Sequence, residues 1–490
     1  MSKGVLALDF GASSGRAVIG HLNNGVIELK EIYRFVNKPI IENSHIFWDI
    51  EKLFGEVKKA LCLCQDYGSI GIDTWGVDYG LIDFEGNLIR KPFNYRDSRT
   101  NGIVKKVSEL IEEDKLYSLT GNQIMEINTV FQLYSDLLVN KEILNKTDKV
   151  LLMPDLFNYF LTGKKATEIS IASTTGLLDP FGKHWCRYIL NTLGISDNVL
   201  PDLIQAGTEV GILREELIKE LKIDKKSVIA VCGHDTASAV AAVPAEQDFL
   251  FISCGTWALF GTELREPVIT KKTMEYNITN EIGINGTTRF LKNLTGTWLL
   301  QETKRQFEKE GKLYSYDYIE QMARESEPFK CYIDTDAEMF LSPGNIPLKI
   351  REYTFKTGQS VPEKDGEIVR CIYESLAMKY RYTYDQLSEC LRRGYKKLHI
   401  IGGGSRDSLL CQLTAEATGL EVVAGPVEAT AIGNILVQLI ARGEISNIKE
   451  GRKLVKASFR NDTYQPYEHE IWNSKYSDYR TLILNDFTKN

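Results

Sequence analysis

Val5-Leu6-Ala7-Leu8 is a short apolar run of the kind a fully buried strand gives, and it ends in a carboxylate, Asp9. Small residues follow, Gly11-Ala12-Ser13-Ser14-Gly15, then Arg16, before Ala17–Gly20 resumes the β pattern. The pattern predicts a strand, a tight turn and a second strand. A second strand pair is expected around Val26–Phe35. Ile50, Leu53, Phe54, Val57 and Leu61 fall at helical spacing behind Asp49, a suitable N-cap. Ser69–Asp73 reads as a buried strand and Tyr79–Asp83 as another. Residues 94–165 read as mostly helical, with a strand at Val150–Met153 and a helix at Asp155–Leu161 stopped by Gly163. Ser227–Cys232 is a strand that runs into Gly233-His234-Asp235, and Thr236–Val243 is a helix of small residues.

At Phe249–Gly261 the pattern restarts: strand, Cys-Gly-Thr turn, strand, with Cys254 standing where Asp9 stood. The echo predicts two lobes on one plan, with a junction at Pro244–Asp248. Further on come a long helix over Glu367–Arg393, a strand at Leu398–Ile401, the run Gly402-Gly403-Gly404-Ser405 and a helix over Ser408–Thr418. A strand at Glu421–Ala424 and an apolar helix over Glu428–Ala441 complete the set.

Composition narrows the classes. The 490 residues suffice for two or three domains, and 43% hydrophobic with 26% charged residues is ordinary for a globular enzyme. A net charge of -7 argues against a nucleic-acid binder held by phosphate contacts. Nine scattered cysteines without a CxxC suggest thiols in a reducing compartment, and six histidines without HxxxH or HExxH spacing argue against zinc. The start MSKGVLALDF has no leader-like apolar region, and no run of about 18 apolar residues occurs, so a cytoplasmic protein with no membrane partner is expected.

Several stretches admit two readings. The Gly11–Arg16 turn could cradle a phosphate, with Asp9 holding Mg²⁺, or could be an ordinary glycine hairpin. It is not a Walker A loop, having three residues between its glycines where four are required. Gly402-Gly403-Gly404 places open backbone at a helix start, suited to a ring or a phosphate, or is simply a tight turn. Asp235 is placed either as the N-cap of the next helix or as a general base for a hydroxyl attacking a γ-phosphoryl group. His234 beside it could donate to a substrate oxygen. Trp75-Gly76-Val77-Asp78 offers an aromatic face beside open backbone, or a core tryptophan.

Taken together and in order, these stretches resemble the FGGY carbohydrate kinases. The matching runs are LDFGASSGR (8–16), GIDTWGVD (71–78), YRDSRT (95–100), LLMPDLFNYFLTGK (151–164), HDTASAV (234–240), SCGTWAL (253–259), NITNE (277–281), LKN (291–293), WLLQ (298–301), LHIIGGG (398–404) and AGPVEA (424–429). The resemblance implies an α/β, two-lobed actin-like ATPase (ribonuclease H-like) fold with a nucleotide and sugar cleft between the lobes. It implies a sugar-binding and phosphate-loop lobe at 1–244 and a nucleotide-binding lobe at 245–490. Within the family, GIDTWGVD with YRDSRT and HDTASAV resembles the branch that phosphorylates L-rhamnulose at its 1-hydroxyl, using ATP and Mg²⁺. A fuculose or xylulose kinase is the nearest alternative. A non-enzymatic actin-like nucleotide switch is the more distant one. By the same resemblance Asp235 would be the base, and Gly76, His234, Asp235 and Thr236 would contact the ketose. Ala12, Ser13, Ser14, Gly15 and Arg16 would lie at the ATP phosphates. Thr256, Asn293, Gln301 and Gly404 would complete the ATP site, with Gly404 lying directly against the nucleotide. Asp9 would serve the metal. Trp75 would wall the C6 methyl. Closure of the lobes would exclude water. Some members carry a cysteine pair near the GGG turn; here Cys411 stands alone, so no local disulfide is expected. The partners implied are the ketose and ATP, with the protein either a monomer or a homodimer.

Overall fold

A computed structural model describes residues 3–246 and 248–485. The chain forms two compact units. Unit 1 holds the described residues of Met1–Gln247, Glu263–Phe290 and Ala429–Phe459. Unit 2 holds those of Asp248–Thr262, Leu291–Glu428 and Arg460–Asn490.

The first elements of unit 1 are β1 (Gly4–Phe10), β2 (Ser14–Asn23), β3 (Val26–Val36), α1 (Ile50–Leu63), β4 (Tyr67–Thr74), α2 (Met153–Thr162), β5 (Glu209–Ile212), β6 (Ser227–Ile229) and α3 (Asp235–Ala241). Asp49 caps α1 as expected, accepting from the Lys52 N–H at 3.2 Å. The sheet order is β5-β6-β4-β1-β2-β3. β1 runs antiparallel to β2 and parallel to β4, and β4 runs parallel to β6. Every residue of β1 is buried, because the helix Ala429–Ala441 packs on the strand and Leu6, Leu8 and Phe10 pack in one core with side chains of α1 and α2. That is why its sequence is a continuous apolar run rather than an alternating one.

Further along the chain stand β7 (Leu250–Cys254), β8 (Trp257–Leu264), β9 (Thr279–Ile282), β10 (Thr288–Thr295), α4 (Trp298–Lys309), α5 (Asp365–Leu391), β11 (Lys397–Ile401), α6 (Ser408–Thr418), β12 (Glu421–Ala424), α7 (Ala429–Ala441) and β13 (Asp462–Tyr464). In unit 2, β7 is antiparallel to β8 and parallel to β11. β11 is parallel to β12, and β12 is antiparallel to β13. The order β8-β7-β11-β12-β13 thus repeats β2-β1-β4-β6-β5, so the echo of one hairpin in the other reflects one sheet plan used twice.

The units do not divide the chain at a single point. Residues 263–290 and 429–459, which the expected C-terminal lobe included, pack with unit 1. The reason is visible in α7. Gly433 lies where any Cβ would stand inside the Ser238 carbonyl of α3, so the two helices touch backbone to backbone. Asn434 Nδ2 donates to Asp73 at 2.6 Å, and Gln438 Nε2 donates to the Leu6 carbonyl at 3.0 Å. Of the expected junction Pro244–Asp248, Gln247 lies outside the described residues, as do 1, 2 and 486–490 of the expected lobes. Among the described residues no helix is long and apolar enough to cross a membrane.

Candidate active site

β1 delivers Asp9 to the end of the unit 1 sheet, and the hairpin returns Arg16 directly opposite it. The Arg16 guanidinium grips Asp9 Oδ2 through Nε at 2.9 Å and Nη2 at 2.6 Å. The turn between them is shaped by three bonds. Gly11 N–H donates to the Ser14 carbonyl at 2.9 Å, Asn37 N–H to the Ser13 carbonyl at 3.0 Å, and Asn37 Nδ2 to the Gly11 carbonyl at 3.0 Å. Ala12 and Ser14 are half-buried and Ser13 is exposed. Gly15 is required by packing, since a Cβ there would collide with the Phe35 ring.

One strand over, Asp73 stands beside Asp9 in register, and Thr74 pairs with His234. Thr74 N–H donates to the Gly233 carbonyl at 2.9 Å. This pairing sets Trp75–Asp78 alongside His234–Thr236, so the structure brings the four expected ketose residues to one place. The Gly76–Asp78 turn closes on an Asp78 N–H bond to the Gly76 carbonyl at 2.9 Å, with Val77 at φ 67°. A β-branched residue there is strained, and only outside contacts hold it. Thr129 Oγ1 donates to the Val77 carbonyl at 2.6 Å, and Val77 N–H donates to Thr174 Oγ1 at 3.2 Å. A Cβ on Gly76 would press on that same threonine.

Trp75 is not a wall for substrate. Its ring packs on Trp48 at 4.1 Å between centroids, and its indole N–H donates to Asp78 Oδ2 at 3.0 Å. It is a core tryptophan. Asp78 also accepts from Trp48 Nε1, Tyr95 N–H and Gln132 Nε2. Burial still pushes its carboxyl up to about 6.

The helix after His234 starts one residue earlier than expected. Asp235 is its first residue and His234 is the N-cap, whose side chain makes no cap bond. Asp235 thus stands inside the helix rather than at its cap; Oδ1 accepts from Thr236 Oγ1 at 3.1 Å and lies 3.4 Å from His234 Nε2. Its side chain keeps 30% of its surface open. The surrounding protein still desolvates it and holds its pKa above the ordinary value, against a lowering by His234. Behind it, Gly233 N–H donates to Glu168 Oε2 at 2.8 Å and His234 N–H to Ser170 Oγ at 3.4 Å, which fixes the backbone of the turn.

Asp9, Asp73 and Asp235 feel one another. Burial pushes Asp73 well up, and Asp9 and Asp235 add to the effect. Asp73 Oδ1 is a buried oxygen that no group donates to. Among the described residues no three or more His, Cys, Asp or Glu side chains form a ready metal cage. Mg²⁺ needs no such cage: one or two carboxylates, water and nucleotide phosphates suffice, so a paired Asp9 beside an unsatisfied Asp73 oxygen fits that ion.

The residues expected at the nucleotide lie in unit 2. At the β7–β8 turn Gly255 N–H donates to the Trp257 carbonyl at 2.8 Å. Thr297 N–H and Oγ1 both donate to the Gly255 carbonyl, at 2.9 and 2.8 Å. Gln301 Nε2 donates to Thr297 Oγ1 at 2.9 Å, and Thr256 Oγ1 donates to Gln301 Oε1 at 3.5 Å. Thr256 and Gln301 thus meet. Asn293 is half-buried on β10. Gly404 reaches the same turn from the other side, because a Cβ on it would collide with Cys254 Sγ. That thiol by itself excludes a side chain at 404. Gly402–Gly404 also does not open α6: Asp407 caps that helix, accepting from the Leu410 N–H at 2.9 Å, after a short 3₁₀ turn over Gly403–Arg406. Burial pushes the Cys254 thiol up to about 12, so it is a packing group rather than a nucleophile.

Two residues at this site carried no role in the sequence reading. Glu281 closes the run NITNE and lies 3.2 Å from His234 Nδ1, and Arg289 lies 3.0 Å from Glu281. An arginine within the apolar β10 pattern is the one signal that could have drawn attention to them.

The N-terminal domain of the FGGY family of carbohydrate kinases matches residues 4–242, and its C-terminal domain matches 250–442. The chain is 41% identical over 488 residues to a rhamnulokinase of Bacteroides thetaiotaomicron, covering 99% of this chain and 100% of that one. It is 39% identical over 465 residues to a rhamnulokinase of Bacillus subtilis, covering 94% and 95%. Its fold resembles a ligand-bound xylulose kinase from Lactobacillus acidophilus (TM-score 0.80, 15% identity, 99% of each chain). It also resembles a glycerol kinase from Plasmodium falciparum with ADP (TM-score 0.78, 14% identity, 99% and 98%). With both domains matched in order, this chain belongs to the FGGY family of carbohydrate kinases and has its actin-like ATPase fold.

Proposed function

We propose that the chain transfers the γ-phosphoryl group of ATP to the 1-hydroxyl of L-rhamnulose. The observation that carries this reading is Asp235: a half-buried carboxylate at the first residue of α3, beside His234, in a chain 41% identical to a rhamnulokinase. The ketose lies against Gly76, His234, Asp235 and Thr236. Asp235 takes the proton of the 1-hydroxyl as that oxygen attacks phosphorus, and His234 directs its Nε2 side toward the same region. Ala12, Ser13, Ser14, Gly15 and Arg16 face the phosphates; Thr256, Asn293, Gln301 and Gly404 form the nucleotide side. Mg²⁺ would be held by Asp9, and when bound it neutralises phosphate charge. The protein acts in the cytoplasm. ADP release with and without ketoses tests the reading: release that depends on L-rhamnulose supports it, and sugar-independent release points to a nucleotide switch.

A further inference from the structure

Arg289 and Glu281 lie behind His234, on the side away from Asp235. Arg289 has no exposed surface and Glu281 is 5% exposed. Arg289 Nη2 donates to His234 Nδ1 at 3.2 Å and lies 3.0 Å from Glu281 Oε2, while Nε donates to the Ile282 carbonyl at 3.2 Å. Glu281 Oε2 is also 3.2 Å from Nδ1. On the opposite edge of the ring, Nε2 faces Asp235 Oδ1 at 3.4 Å.

A guanidinium offers only donors and never loses its charge. Glu281 Oε2 also approaches Nδ1 but makes no hydrogen bond to it, so the ring nitrogen that the guanidinium addresses presents a lone pair. A neutral imidazole has one proton, so that proton sits on Nε2. We propose that Glu281 and Arg289 are positioning residues that fix His234 as the neutral Nε2–H tautomer, aimed at Asp235 and the ketose. This rests on the assignment of 234–236 to the ketose site. With Nδ1 held by the guanidinium, the Nε2 edge of the ring is the donor edge turned to Asp235. Glu281 in turn balances Arg289: burial pushes its carboxyl up, and the charge of Arg289 works against that, the carboxyl lying below its ordinary value.

Two measurements on the full chain test this. In the nitrogen spectrum of ¹⁵N-histidine-labelled protein at neutral pH, the His234 signals are those missing from the His234→Gln variant. An unprotonated Nδ1 with a protonated Nε2 is expected; a proton on Nδ1 overturns the proposal. In steady-state assays Glu281→Gln and Arg289→Lys should each lower kcat roughly 10- to 100-fold, the loss typical when the partner orienting a working imidazole is removed. KM for ATP should stay close to wild type. Repeated in a His234→Gln background, either change should cost nothing further; an undiminished loss there overturns the proposal. Glu281→Gln, being isosteric, decides the matter if Arg289→Lys fails to fold. If no ketose is phosphorylated at all, the functional reading fails, and the nitrogen spectrum still decides the tautomer.

Discussion

The Asp235 carboxylate stands one residue past the N-cap of its helix, with Thr236 and His234 as its polar neighbours and 30% of its surface open, which leaves it able to accept a proton. Asp235→Asn should fold normally, bind ATP as wild type does, and lose roughly 10²-fold or more in kcat. The working form is ionised, and the pKa in the fold is raised above 3.8. Activity must therefore fall as pH drops through the raised value. The acid limb of the kcat/KM profile should lie above the range of a free aspartate and be absent from the residual activity of Asp235→Asn. At the glycine run the two neighbours separate. Nothing lies within 4 Å of a Cβ built on Gly403, whereas one on Gly404 collides with Cys254. Gly403→Val should keep the wild-type Tm and raise KM for ATP several-fold. Gly404→Val should lower Tm whether or not nucleotide is present. A Gly403→Val protein with unchanged KM for ATP would place the nucleotide elsewhere.

At the scale of elements, α7 is the piece that local pattern could not place. Its apolar stretch was legible as a helix, but nothing local shows what Asn434 and Gln438 within it bind. Their partners, Asp73, Ser69 and Leu6, lie more than three hundred residues earlier. Hydrophobic periodicity finds an element but not the sheet that it covers. The same limit explains the early start of α3, since one residue at a helix end turns on which residue takes the cap, expected to be Asp235 and found to be His234. Burial raises the Asp73 pKa, so the folded chain binds a proton there more tightly than the unfolded chain does. The stability lent by that proton is fully present below the unfolded-state value and is lost as pH rises through the folded-state value. Asp73→Asn should thus raise Tm at pH 8, with the difference from wild type shrinking toward pH 5. A Tm lowered equally at both pH values would contradict the assignment.

At the scale of the whole molecule, the two-fold use of one sheet plan was legible because buried parallel strands and their hairpins announce themselves as apolar runs ended by small residues. The division of the chain was not, because it depends on two late returns to unit 1. The substrate is the central claim. With Trp75 packed in the core, the C6 methyl of a 6-deoxy ketose must find other apolar contacts. A methyl is worth about 1–3 kcal/mol, so selectivity over a 6-hydroxyl ketose should be modest, roughly 10- to 200-fold. A wrong ring epimer strands buried polar groups and should cost more. The direct measurement is kcat/KM for L-rhamnulose, L-fuculose, D-xylulose and L-fructose, taken side by side by ADP release. The account predicts L-rhamnulose first, with L-fructose nearest behind it. A preference for D-xylulose or L-fuculose would contradict it.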